Sequence, residues 1–176
     1  VNEQMASIAS VKSSGLLLLG TEMDPWGFSH FEGLDIPIVL LDCYSDELNV
    51  DSVLINNSQG AFLAASHLIE QGHRQIGYLK SKSRIANFSE RSDGYYKALR
   101  RHGLSTEHPY VIELSPTAEQ GYLDMRAVLE KQPPLASAYF ADNDIIAAAA
   151  LRALAEKGIR VPEDISVMGF DDMPIC

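Results

Sequence analysis

A regular alternation of two kinds of segment constrains this chain more than any single residue does. Short apolar runs rich in branched and aromatic side chains fall at 16–19, 37–41, 52–55, 76–79, 110–114, 136–140 and 165–170. Stretches of helical length with one apolar face separate most of them. A strand buried on both faces reads as a continuous apolar run, and a helix lying on a sheet reads as an amphipathic one. The alternation therefore predicts βαβ units and an α/β fold class, with parallel sheets flanked by helices.

The helix ends are legible as chemistry. Asn57 or Ser58 is placed to cap a helix with apolar face Ala61, Phe62, Ala65, Leu68 and Ile69, ending at Gly72. Ser89 is placed to cap the next, with Arg91 in its first turn and Gly103 at its end. Thr117-Ala118-Glu119-Gln120 has the form of a capping box, and that helix runs to about Lys131 before Pro133-Pro134. Asp142 or Asn143 opens the last, which carries Ile145, Ile146, Ala149, Ala150, Ala153 and Leu154 and stops at Gly158. Side-chain oxygens satisfy the orphan amides at a helix start, and glycine takes the left-handed turn at its end. Residues 1–12 read as the tail of a helix and 25–33 as a short irregular one. The polar stretch 43–51, with Asp46, Glu47, Asn49 and Asp51, holds no helix long enough to return to the same sheet, and reads as a hinge between two lobes.

Composition narrows the function. The 176 residues carry a formal charge of −10, and an acidic surface repels phosphate backbones, so the chain itself is not a DNA-binding module. No apolar run approaches the roughly 20 residues needed to cross a bilayer. Cys43 and Cys176 fit neither a redox pair nor a zinc site. Phosphate-cradling glycine loops and a Gly-x-Ser-x-Gly nucleophile turn are both missing, and the five histidines (30, 67, 73, 102 and 108) are scattered. No catalytic residue, metal site or cofactor is expected.

Polar residues collect where strands should end. Asp42 follows 37–41, Asp142-Asn143-Asp144 follows 136–140, and Asp171-Asp172 follows 165–170, while Arg91 lies beyond the loop after 76–79. Ligands of open α/β sheets sit at the carboxyl ends of strands. Carboxylates, an amide and an Arg fork suit the hydroxyls and heteroatoms of a sugar, nucleoside or small polyol. Phe88, Phe170, Tyr44 and Trp26 are candidates for an aromatic wall. The bland alternative is that Asp142 or Asn143 is only a helix cap, and that Asp171-Asp172 only solvates a loop. The alanine-rich stretch 147–155 has more small residues than one buried face requires, which suggests a flat dimer surface beside the plain reading as a close-packed helix.

Longer phrases carry a family likeness. Ile36-Pro37-Ile38-Val39-Leu40-Leu41-Asp42, His67-Leu68-Ile69-Glu70-Gln71-Gly72-His73-Arg74-Gln75-Ile76-Gly77, Ala141-Asp142-Asn143-Asp144, and the run from Arg160 through Val161-Pro162-Glu163-Asp164 to Gly169-Phe170-Asp171-Asp172 resemble the effector domains of LacI/GalR-type transcriptional regulators. The resemblance implies a periplasmic-binding-protein-like type I architecture. Residues 1–51 would then be the remainder of an incomplete N-terminal lobe and 52–176 the C-terminal lobe, with the helix-turn-helix domain absent from this chain. It further implies a small effector, most simply a sugar, in the interlobe cleft; contacts from Asp42, Arg91, Asn143 and Asp171; secondary contacts from Phe88, Phe170 and Tyr44; a cytoplasmic homodimer; and operator DNA reached only through the absent domain. The loop Lys80-Ser81-Lys82-Ser83-Arg84 departs from the common family patterns. An exported sugar-binding protein of a transporter and a Mg-dependent phosphotransfer enzyme are the alternatives. Truncating Arg91 or Asp171 is expected to weaken effector binding with little loss of fold.

In a gel-shift assay at moderate salt, the 176-residue chain is expected to leave operator DNA unshifted; a specific shift would place DNA recognition inside it.

Overall fold

The computed structural model describes residues 13–23, 25–107 and 110–175. The expected helix tail at 1–12 and Cys176 lie outside the described residues, as does the side chain of Trp26. The chain divides into two compact units, Val1–Ile55 and Asn56–Cys176.

The first unit holds β1 (Leu16–Leu19), a 3-10 helix (Pro25–Phe31), β2 (Ile38–Leu41) and β3 (Asp51–Val53). The strands form a parallel sheet in the order β1-β2-β3. Strand side chains alternate between faces, and one face carries Leu16, Leu18, Ile38 and Leu40, which pack with Phe28 and Phe31. Leu17, Leu19 and Val53 on the other face are exposed. β3 departs from the expectation that 52–55 starts the second lobe. Val39 and Leu41 of β2 are its register partners, and the Asp42 amide donates to the Val53 carbonyl. Strand pairing thus keeps residues 51–53 in the first unit, and the boundary falls after Ile55 rather than after residue 51.

The second unit alternates without interruption: α1 (Asn57–Glu70), β4 (Ile76–Ser81), α2 (Ala86–Arg101), β5 (Val111–Leu114), α3 (Ala118–Glu130), β6 (Ala138–Ala141), α4 (Asp144–Glu156) and β7 (Ser166–Met168). All four strands are parallel, in the order β5-β4-β6-β7. Ile76, Tyr78, Ala138 and Phe140 face α1 and α2, while Leu79, Ile112, Leu114, Tyr139 and Ala141 face α3 and α4. Two apolar layers thus cover the sheet, as parallel strands require.

The first two caps shift from their sequence positions, by one and by four residues. Asn56 caps α1 through the Gln59 amide, which frees the Asn57 side chain to turn inward, where it is buried. α2 begins at Ala86 rather than near Ser89, so Arg91 sits in its second turn. Thr117 occupies the cap of α3 without a side-chain bond. Gly72 and Gly158 follow α1 and α4 at φ of 100° and 74°, the left-handed conformation that closes a helix most cheaply with glycine. The alanines of α4 are core residues: Ala147, Ala149, Ala150 and Ala153 are all buried. Ala149 lies against Gly121 of α3, where even a methyl would crowd it. Close packing against the sheet and α3 therefore accounts for those four small residues, while Ala148 is half-buried and Ala155 exposed.

One buried carboxylate joins the two central strands. Asp142, directly after β6, is wholly buried; its Oδ1 accepts from the Tyr78 hydroxyl at 2.5 Å and its Oδ2 from the Ser81 amide at 2.6 Å. Burial pushes its carboxyl above the ordinary value of 3.8, although these two hydrogen bonds and the charges of Arg91 and Lys80 pull the other way. A native pKa raised above the unfolded one contributes stability below pH 3.8, and that contribution is lost as pH rises through the native value.

Two outcomes are expected. Gly94 lies where α2 crosses α1, and a Cβ there would overlap the Ser58 carbonyl oxygen and sit 3.0 Å from the Ala61 methyl. Helix propensity alone would make Gly94→Ala stabilising by about 1 kcal/mol; overpacking makes it a loss of about 1–3 kcal/mol, with the sign read by urea unfolding. Asp142→Asn keeps the shape without the buried charge, so its stability relative to the parent should improve as pH is raised from below 3.8 to neutrality. A difference that stays constant across that range would contradict the account of Asp142.

Candidate functional site

Strand order locates the site before any side chain is considered. From β4 the chain crosses to β5 on one side, whereas β6 lies on the other side of β4 and leads on to β7. Connections leaving β4 and β6 therefore diverge, and such a switch point opens a crevice at the carboxyl ends of the two strands. Ser81 ends β4, Asp142 and Asn143 follow β6, and the turn after β7 supplies residues 169–173.

Arg91 reaches this edge from α2 and is 4% exposed. Its Nε donates to Asn57 Oδ1 at 2.9 Å, and Nη1 donates to the Asp142 carbonyl at 2.5 Å. Nη2 donates to Asp171 Oδ1 at 2.9 Å, and Nη1 approaches Oδ2 at 3.4 Å, completing a two-pronged ion pair. The guanidinium carbon lies 3.8 Å from the centroid of the Phe170 ring and 5.6 Å from that of Phe88. A guanidinium offers five N–H groups. These contacts use four and leave one on Nη2.

The turn after β7 is conformationally costly and firmly held. Asp171 and Asp172 adopt φ of 98° and 54°, a region that non-glycine residues occupy at a cost on the order of 1–3 kcal/mol and that clusters at ligand sites. Asp144 clamps this turn: its amide donates to the Phe170 carbonyl at 3.0 Å, and its Oδ2 accepts from the Met173 amide at 2.8 Å. Gly169 makes room for that carboxylate, which a Cβ would strike. Phe170 fills the space over Gly60 and meets Phe140 edge-on at 6.4 Å. The result presents Asp171, its side chain 29% exposed, at the edge.

Asn143 is the cap of α4, and that role leaves its side-chain amide nitrogen uncommitted. Its Oδ1 accepts from the Ile146 amide at 2.9 Å and caps α4, while its Nδ2 has no partner among the described residues. Asp142 has a different role from the cap considered for it. Its side chain is internal, and only its backbone carbonyl meets Arg91.

The structure thus brings Arg91, Asn143 and Asp171 to one edge of the second unit. Asp42 ends β2 in the first unit, at φ of 59°, with Oδ2 accepting from the Thr21 hydroxyl at 2.7 Å. Tyr44, just beyond it, is exposed. Phe88 is half-buried on α2, and Phe170 is a floor beneath Arg91 rather than an open wall. Sequence reasoning read Asn57 only as a cap, gave Asp144 no role of its own, and passed over Tyr78. Asn57 was masked by its neighbour's cap, and Tyr78 by reading as plain core. Arg91 is buried and its hydrogen bonds reach three elements, so its truncation is expected to cost stability as well as binding. Among the described residues, no group of three or more His, Cys, Asp or Glu is placed to hold a metal ion, and no helix is long and apolar enough to cross a membrane.

The family described as periplasmic binding protein-like domain matches residues 65–176. The probable HTH-type transcriptional repressor ExuR of Bacillus subtilis (strain 168) is 31% identical over 95% of this chain and 50% of its own length. The HTH-type transcriptional repressor CytR of Escherichia coli (strain K12) is 34% identical over 96% of this chain and 49% of its own. The solved structure of the transcriptional regulator CelR in complex with cellobiose superimposes with a TM-score of 0.82 at 32% identity, covering 97% of this chain and 53% of that one. The chain spans about half the length of the curated relatives it matches. With its parallel sheets, its polar switch-point edge and these relatives, the chain belongs to the periplasmic-binding-protein-like domain family and is similar in sequence and fold to transcriptional regulators of the LacI type.

Proposed function

We propose that the protein is the ligand-sensing part of a DNA-binding transcriptional repressor, and that its effector is a small polar molecule such as a sugar or nucleoside. The observation that carries this reading is the Arg91–Asp171 fork at the switch point, flanked by the uncommitted Asn143 amide. In this role Asp171 accepts from ligand hydroxyls, Asn143 Nδ2 donates, and the remaining Nη2 hydrogen of Arg91 donates once the fork has set its direction. Asp42 serves as a further contact at its own strand end. Phe88 and Tyr44 lend apolar surface, and Phe170 supports Arg91. Occupancy changes transcription only in so far as the effector binds one conformational state better than another.

Relatives that are named as repressors support binding rather than catalysis, and a regulator rather than an exported carrier. A homodimer reading an operator through a separate helix-turn-helix segment, in the cytoplasm, completes the proposal. The exposed apolar face of the first sheet, at Leu17, Leu19 and Val53, supports taking residues 1–55 as part of a larger lobe.

A thermal-shift screen of the purified protein against sugars and nucleosides is expected to identify a stabilising ligand. Asp171→Asn keeps the size and one acceptor but halves the fork, and should weaken that ligand at least tenfold by calorimetry. Glu163→Gln, in the loop before β7, should leave it unchanged. Equal affinity for parent and Asp171→Asn would remove this edge from the binding site.

A further inference from the structure

We propose that the effector bound at this edge carries no negative charge, so that the protein takes the neutral polyhydroxy compound or nucleoside and rejects its phosphorylated or carboxylate form. The inference rests on the ligand-sensing reading above and narrows it to a chemical class.

An anion needs a cation, or a set of amide hydrogens, not already spent. Arg91 is neutralised by Asp171 across both prongs. Lys82 is bound to Asp124 at 2.7 Å, a carboxylate fixed further by the Ser115 amide and hydroxyl and by Gln120. Arg84 faces Glu113 at 3.4 Å. Lys80 has no ion-pair partner among the described residues, but its charge acts on the buried Asp142. The amino end of α4 is filled by the Asn143 oxygen and followed at once by the Asp144 carboxylate. The amino end of α2 has no side-chain cap, but it lies more than a turn before Arg91 on that helix.

The carboxylates are less fully answered. Glu90, next to Arg91, accepts from a neutral donor, the Asn57 amide, at 3.1 Å, and pairs with no cation among the described residues. Asp172 is exposed beside Asp171 and pairs with no cation among the described residues. A phosphate or carboxylate brought to the Arg91–Asp171 fork would have to displace Asp171 from its partner. A hydroxyl needs no displacement: it donates to Asp171 and accepts from Asn143. Neutral donor–acceptor groups match what is left open. Charge separates otherwise similar ligands here, because like charges held close together cost selectivity energy that no hydroxyl contact recovers.

The test is a thermal-shift panel of matched pairs: glucose and glucose 6-phosphate, galactose and galacturonate, ribose and ribose 5-phosphate, adenosine and AMP, uridine and UMP. Stabilisation by an uncharged member, with its anionic partner at least tenfold weaker, is the expected result. Calorimetry of that neutral ligand at 50 and 500 mM NaCl should differ less than twofold, since no charge on the ligand is screened. An anionic member that binds more tightly than its neutral parent, or an affinity falling tenfold with salt, overturns the proposal while leaving the ligand-sensing reading intact. Silence across both members of every pair, with Asp171→Asn equally silent, counts against the ligand-sensing reading itself, and the charge rule falls with it.

Discussion

Arg91 is the contact on which the second unit's polar edge depends. A guanidinium that is 4% exposed survives burial only if its hydrogens are answered, since an unpaired buried charge is far costlier than any single packing defect. Its answers come from three different elements: Asn57 at the start of α1, the carbonyl after β6, and the turn after β7. The side chain thus staples the ends of elements far apart in the chain, and Phe170 beneath it supplies a polarisable floor. Removing it would take the cation from Asp171 and leave Asp144 alone to clamp the left-handed turn.

Several small residues exist to permit that arrangement. Gly60 leaves space for the Phe170 ring, Gly169 for the Asp144 carboxylate, and Gly94 for the close crossing of α1 and α2 that aligns Asn57 with Arg91. Asp142 performs the parallel task on the strand side, where its buried carboxylate ties Tyr78 and Ser81 of β4 to the end of β6. The two strands flanking the switch point are therefore held by a polar clamp as well as by their ladder. A site whose groups are locked in this way offers a ligand little freedom to reorganise it, which favours selectivity by chemical match.

Charge placement gives this edge its character. Pairing of Lys82 with Asp124, and of Arg91 with Asp171, answers both of these cations while leaving hydrogen-bonding capacity. Hydrogen bonding in Asp124 outweighs the burial that would oppose its ionisation; Lys82 contributes most, with Ser115 and Gln120, and its carboxyl stays well below the usual range. That pair is thus kept in its charged form at neutral pH and is no standing receptor for an anion.

From the amino-acid order alone, the α/β class, the two-layer second unit and the strand ends carrying Asp42, Asn143 and Asp171 were all legible, because burial period and helix punctuation are local properties. Longer phrases such as Ala141-Asp142-Asn143-Asp144 carried the family. What local pattern could not show was which neighbour does which task. Asn56 rather than Asn57 caps α1, Asn143 caps while Asp142 goes inside, and α2 starts four residues earlier than its serine suggests. Each of these is settled by competition for partners brought together only by the fold. Strand β3 joins the first sheet for the same reason, since its pairing with β2 outweighs the polar stretch before it that reads as a hinge. Chain order determined the elements and the chemistry available at their ends; tertiary packing decided which polar groups were spent on holding the structure and which were left to meet a ligand.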